Sequence, residues 1–194
     1  MRVWWVPWAV YGPLAGLGAA WAAWAHGSAW RHPEGSWLPL PWGTPNLVGA
    51  ALAILLAVAT IGATRLLVQH TDWARRLHVE FRAALLDTPA SQLFVLALTS
   101  AFGEELFFRA ALQPTIGLMP SAVLFGVVHV APNGNWLTWG TWATVMGVAF
   151  GALYAATGTI LAPVLAHAVI NYENMQYICN YDPTPLDTGG GRPT

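Results

Sequence analysis

Residues 101–110 read AFGEELFFRA. They set two adjacent carboxylates, Glu104 and Glu105, and one guanidinium, Arg109, into a run that is otherwise apolar. A charged side chain at the centre of a bilayer helix costs about 2.5–3.5 kcal/mol even on lenient insertion scales. Either this run does not span a membrane, or the chain has a use for the three charges.

The composition around it favours the membrane. Of 194 residues, 56% are hydrophobic and only 9% are charged, against about 25% charged in soluble domains. Mean hydropathy is positive, and there are 12 tryptophans. The net charge of −1 gives no electrostatic footing for nucleic acid. Every basic residue other than histidine is arginine. The single Cys179 rules out an internal disulfide and a cysteine-based zinc site. The first hydrophobic run lacks a clear charged leader and reads as a retained helix rather than a cleaved signal.

A span needs about 20 apolar residues. The sequence predicts spans over 3–25, 46–68, 89–112, 121–130, 136–157 and 159–178. Trp4, Trp5 and Trp8 mark one end of the first span and Trp21, Trp24 and Trp30 the other, as interfacial belts do. Gly12 and Gly16 are small residues at a spacing that lets helices approach, read here as plain packing glycines. Residues 26–45 are too broken by proline for a helix. Residues 71–87 carry Arg75, Arg76 and Arg82 on one side. Trp73, Leu77, Phe81 and Leu85 recur at helical spacing, the pattern of an interfacial amphipathic helix. Residues 131–135, APNGN, form a turn. Gly147, Gly151 and Ala155 give the fifth span a close-packing face, and Gly158 ends it. The expected fold is therefore all-α: a polytopic integral membrane bundle of about six transmembrane helices plus one interfacial helix. Residues 1–181 form a single transmembrane domain, with 91–178 its motif-bearing part. Residues 182–194 are expected to be a disordered tail.

Polar groups recur at helical spacing inside three spans. Glu105 and Arg109 share a face and can pair, while Glu104 points about 100° away. Phe125 and His129 are four apart, as are His167 and Asn171. If the helices alternate in direction, Glu104, His129 and His167 each lie eight or nine residues from a common surface, roughly 12–14 Å deep at 1.5 Å per residue. Asn171 lies one turn deeper. A lone buried histidine is usually a packing residue, and an i, i+4 Glu–Arg pair is usually structural. Glu105 with Arg109 keeps that reading. Four polar groups within one turn of a common depth form a costly set, and intramembrane ionisable residues mark function. His26, His32, His70, His78 and Cys179 receive no role.

A carboxylate beside an imidazole can deprotonate a water. A second imidazole with an amide can donate to an oxyanion. Together they suit amide hydrolysis. Two histidines and a glutamate, here Glu104, His129 and His167, could instead bind zinc. Neither chemistry is excluded by spacing.

Glu104-Glu105-x-x-x-Arg109, Phe125-x-x-x-His129 and His167-x-x-x-Asn171 resemble, in order, the three motifs of the CPBP family of CAAX prenyl proteases, bacteriocin-processing and abortive-infection proteins. The resemblance covers about residues 91–171. It implies a helical intramembrane endopeptidase in which Glu104 activates water with His129, while His167 and Asn171 stabilise the oxyanion. Glu105 and Arg109, with Phe125, would support the site. The family is often labelled metalloprotease, and a metal-free glutamate mechanism is also held for it. Two departures stand out. Ala110 occupies a position that is commonly glycine, and residues 113–119 carry no charge where many members have a basic loop.

The implied partners are the lipid bilayer and a peptide or protein substrate, membrane-anchored or not, with no nucleic acid. The implied location is the plasma membrane of a prokaryote. The positive-inside rule puts residues 65–82 in the cytoplasm. Six spans would then turn the shared-depth surface outward, whereas the prenyl-protease relatives are reached from the cytosol. A non-catalytic immunity or scaffold protein is the alternative from another class. A proton-coupled transporter is disfavoured by the absence of any repeat.

Overall fold

Proline opens helices and glycine closes them along much of this chain. The computed structural model describes residues 5, 7–41, 44–131 and 136–184. A π-helical turn, Pro7–Tyr11, leads into α1, Gly12–His26. The others are α2 Pro45–His70, α3 Asp72–Leu85 and α4 Ala90–Glu105. A π-helical segment Leu106–Leu112 continues α4 and runs into the short α5, Gln113–Ile116. Then come α6 Leu118–Val127, α7 Trp136–Thr157 and α8 Leu161–Asn180. Pro45 sits in the first turn of α2, where its missing N–H costs nothing. Gly158 ends α7 at φ +68, a backbone state that an L side chain rarely adopts.

Among the described residues, helix is the regular structure throughout, and one isolated bridge joins Arg31 to Thr159. That bridge belongs to a strap. Residues 30–38 cross the α7–α8 turn, with Trp37 N–H on Ala155 O, Leu38 N–H on Ala156 O and His32 N–H on Gly158 O. The turn expected at 131–135 lies outside the described residues except for Ala131. Trp4 and residues 185–194 of the tail lie outside them too.

α8 is the central post. α2 and α4 pack along it, α7 packs on α6, and α1 covers the π segment. One core joins Ala53, Ala57 and Ile61 of α2 to Phe150 and Leu153 of α7 and to Ala166 and Ile170 of α8. A second joins Ala22 of α1 to Leu106, Ala110 and Ala111 of the π segment, with Tyr154 and Ile160.

The outer surface is apolar. On α2, Leu47 is 74% exposed, and Leu55 and Val58 are 65% exposed. A helix facing water would carry polar groups there; one facing lipid would not. Among the described residues, by length and composition, α2 alone can cross a membrane; α3 and the run Ala90–Ile116 pass only as a pair bent by 114°. The six long spans expected from sequence are not all reproduced as such. α1 has 15 residues and α6 has 10, roughly 22 and 15 Å of rise.

Two local expectations are corrected. Gly12 and Gly16 meet nothing within 4 Å. It is Gly18 that lets α1 close on the π segment, for a Cβ there would stand 2.6 Å from Phe107 N and 2.7 Å from Leu106 C. Gly18→Ala should therefore push two backbones apart and cost about 1–3 kcal/mol, the scale of core overpacking. Gly16→Ala should be neutral. Thermal unfolding of both variants in one detergent checks the contrast. On α3, Arg75, Arg76 and Arg82 do not act as one basic face. Arg82 donates to Ile178 O at 2.9 Å and to Cys179 O, covering the C-terminal carbonyls of α8, and Arg75 donates to Gln69 O at 3.2 Å. Ala74, Leu77 and His78 form the buried side, and Trp73 is exposed.

The close-packing face of α7 does pack. Gly147 lies against Ala122 of α6, Gly151 against Gln113, and Ala155 is buried. This brings α6 tight against α7.

Candidate active site

α4 runs straight up to Glu105 and then loosens into the π segment. The widened turn starts at Leu106, directly after the two carboxylates. Such π insertions recur at functional sites because they re-aim side chains within a helix.

The two carboxylates are separated as their 100° offset requires. Glu105 is fully buried and pairs with Arg109, Oε2 to Nε at 3.2 Å. Its other oxygen, Oε1, lies 2.8 Å from His167 Nδ1 on α8. Glu104 points elsewhere. Its Oε2 lies 3.6 Å from His129 Nε2 and 3.8 Å from His167 Nε2. That oxygen is buried and has no hydrogen-bond partner among the described residues. His167 thus bridges the two carboxylates, with Nδ1 held by Glu105 and Nε2 facing Glu104.

His129 reaches Glu104 by a different route from the one its spacing suggests. The sequence places it inside the fourth helix, but α6 stops at Val127. His129 lies two residues beyond, where Gly126 and Gly140 bring α6 and α7 too close for any side chain. Its backbone N–H donates to Gly126 O at 3.1 Å, and its Nδ1 is held by Phe125 O at 2.5 Å. Trp139 of α7 stands edge-on to it, centroids 5.9 Å apart, and also meets Phe81 of α3 at 5.0 Å. His129 is therefore on the α3 side of the site, and it is more exposed than Glu104 or His167, with 18% of its side chain accessible.

Asn171 is four residues from His167 on α8, as read, but its amide is engaged. Nδ2 donates to Ser100 Oγ at 3.2 Å, and Ser100 in turn donates to Ala97 O. Phe125 is a shelf rather than anonymous core: the guanidinium carbon of Arg109 sits 4.2 Å from its ring centre. Arg109 is 1% exposed, with Phe150 and Phe108 at 5.5 and 5.9 Å, and it donates to Gly147 O at 3.3 Å. Phe150 also stacks on His167 at 4.7 Å and 17°.

Sequence reasoning missed Ser100, Phe150 and Trp139. Ser100 had a usable signal, since it lies four residues before Glu104 on the same helix face. Phe150 and Trp139 had none; their helix supplies no polar motif. Tyr11, from the N-terminal π turn, was missed as well, and its phenol lies within electrostatic reach of Glu104.

Among the described residues, no group of three His, Cys, Asp or Glu side chains is arranged to hold a metal ion. The zinc set Glu104, His129 and His167 accordingly does not assemble as a ligand cage. Both imidazoles face one carboxylate oxygen instead.

Comparison with known proteins adds a family. Residues 86–172 match the model of the type II CAAX prenyl endopeptidase Rce1-like family. The segment contains every member of the polar set, from Ser100 to Asn171. The uncharacterized protein YpbD of Bacillus subtilis (strain 168) is 33% identical over 79 residues, 41% of this chain and 41% of that protein. The match thus spans less than half the length of that relative. No solved structure matches the chain.

Proposed function

Because residues 86–172 place this chain in the CPBP family, with its type II CAAX prenyl endopeptidase Rce1-like members, we propose that it is an intramembrane endopeptidase. It cleaves a peptide bond with a water activated by Glu104. One observation carries this reading: Glu104 Oε2, buried and unpartnered, aimed at the Nε2 atoms of two histidines.

The roles follow from what each group can donate or accept. A water donating one hydrogen to Glu104 and accepting from His129 Nε2 is oriented by both. Glu104 takes that proton as the water oxygen attacks the scissile carbonyl, and returns it to the leaving nitrogen as the C–N bond breaks. His129 Nδ1–H is fixed on Phe125 O. Its Nε2 can then donate only while the ring carries both protons, as an imidazolium beside the Glu104 carboxylate. The same holds for His167, whose Nδ1–H is held by Glu105. Asn171 keeps one amide hydrogen for the oxyanion while Ser100 holds the other. No step runs through a metal.

The substrate is a peptide or protein at a membrane. The bundle is polytopic: the apolar outer faces of α1, α2, α6 and α7 meet lipid, and the shorter elements cross with α5 and the π turns added. The plasma membrane of a prokaryote is the setting. The orientation conflict disappears under this reading. His129 opens toward α3 and the arginine-bearing end, which the positive-inside rule places in the cytoplasm.

The test is a map of newly formed peptide termini in membranes holding wild type or His129→Ala at matched levels. Loss of a defined product supports the hydrolase; identical profiles with an identical phenotype point to the non-catalytic reading. A second measurement separates roles. Asn171→Ala should lower kcat by about 10²–10³-fold, the cost of removing one oxyanion donor. KM should change little, because an oxyanion exists only in the transition state.

A further inference from the structure

The outward side of α3 is unlike a water-exposed helix face. It presents Trp73, Val79 and, just past its end, Leu86, respectively 37%, 36% and 50% exposed. Arg76 stands among these apolar groups. The other two arginines of α3 are occupied: Arg75 pairs with Asp72 at 3.5 Å and donates to Gln69 O, and Arg82 caps α8 and pairs with Asp182 at 3.6 Å. Arg76 has no hydrogen bond or ion pair among the described residues. Beside it lies a cavity of about 60 Å³ lined by Trp73, Arg76, Leu77 and Thr138, room for roughly two waters. Thr138, from α7, adds a hydroxyl to its lining.

We propose that this cavity binds the phosphate of an anionic phospholipid, with Arg76 and Thr138 as donors and Trp73 against the glycerol region. Three features select a lipid over a soluble anion. α3 turns by 114° from the run Ala90–Ile116, so when that run crosses the bilayer α3 lies near the plane of its surface. Trp73, Val79 and Leu86 suit the headgroup boundary and not water. An arginine between them, unpaired among the described residues, matches an anionic headgroup, to which guanidinium binds through paired donors. The cavity is one residue along α7 from Trp139, which stands between Phe81 of α3 and His129. The proposal rests on the membrane reading and not on hydrolysis.

Full-length protein is reconstituted in phosphatidylcholine vesicles with and without phosphatidylglycerol, extracted, and the lipid retained per protein is counted by native mass spectrometry. The wild type should keep phosphatidylglycerol in preference to phosphatidylcholine. Arg76→Gln should keep about five-fold less, the effect of one basic group at a lipid surface. Arg76→Lys should keep most of it, and Arg75→Gln should match the wild type. A thermal melt of each variant confirms that it is folded. Equal retention by Arg76→Gln overturns the proposal, as does an equal loss in Arg75→Gln, which would mean diffuse attraction. Displacement by inorganic phosphate would show a free-anion site. Unchanged retention with weaker cleavage of a peptide bearing a free C-terminal carboxylate would assign Arg76 to the substrate. Either result also overturns it.

Discussion

Glu104→Gln should reduce peptide-bond cleavage by about 10²–10⁴-fold, the usual contribution of a general base, with the protein still folded and present at the wild-type level. Glutamine keeps the shape of the side chain and removes its ability to take a proton. Stability should survive because Glu104 Oε2 accepts no hydrogen bond among the described residues, and its contacts with the imidazoles at 3.6 and 3.8 Å are longer than direct bonds. The measurement pairs a cleavage assay with a melt on the same preparation. Wild-type cleavage by Glu104→Gln would remove Glu104 as the base. Lost cleavage together with a large fall in melting temperature would make it a structural residue.

Arg109→Ala should behave in the opposite way, with a loss of about 3–5 kcal/mol of stability, the scale for breaking a buried ion pair from one side. Glu105 would then keep its charge in a site that is 0% exposed, with only His167 Nδ1 to share it. The aromatic cage of Phe108, Phe125 and Phe150 would also lose the cation it encloses. The double variant Glu105→Gln, Arg109→Met should recover much of the loss, since no uncompensated charge remains and the methionine can fill the cage. Unfolding in detergent reports both. If the double variant is as unstable as the sum of the two single ones, the pair is not the reason for the loss. The double variant should still cleave poorly, because Glu105 orients His167.

The motif residues were legible because helices turn by about 100° per residue. That angle separates Glu104 from Glu105 whatever surrounds them, and the structure turns one toward two histidines and the other toward Arg109. The same rule put His167 and Asn171 on one face of α8. It failed for His129, because a helix is extended by local pattern but ended by packing. Nothing in residues 121–130 says that α6 stops at Val127; the close approach of Gly126 and Gly140 does. It failed for α3 as well. Arg75, Arg76 and Arg82 look alike in sequence, and only the carbonyls of α8 and the pairing with Asp72 tell them apart.

The sequence by itself determined the membrane character, the positions of nearly all the helices and the identity of the charged set. Those depend on composition, on proline and glycine, and on the cost of burying charge, which are local properties. Tertiary structure alone decided which partners the charges have. Glu105 was legible as the partner of Arg109, but not as the anchor of His167. Asn171 was legible on the right face, but not as held by Ser100. The place of His129 on the α3 side of the site follows from where it leaves its helix. These are contacts between residues up to 71 positions apart. A side chain's partner across such a distance is fixed by how helices cross, and that is set by the summed fit of small residues such as Gly18, Gly126 and Gly147, not by any motif.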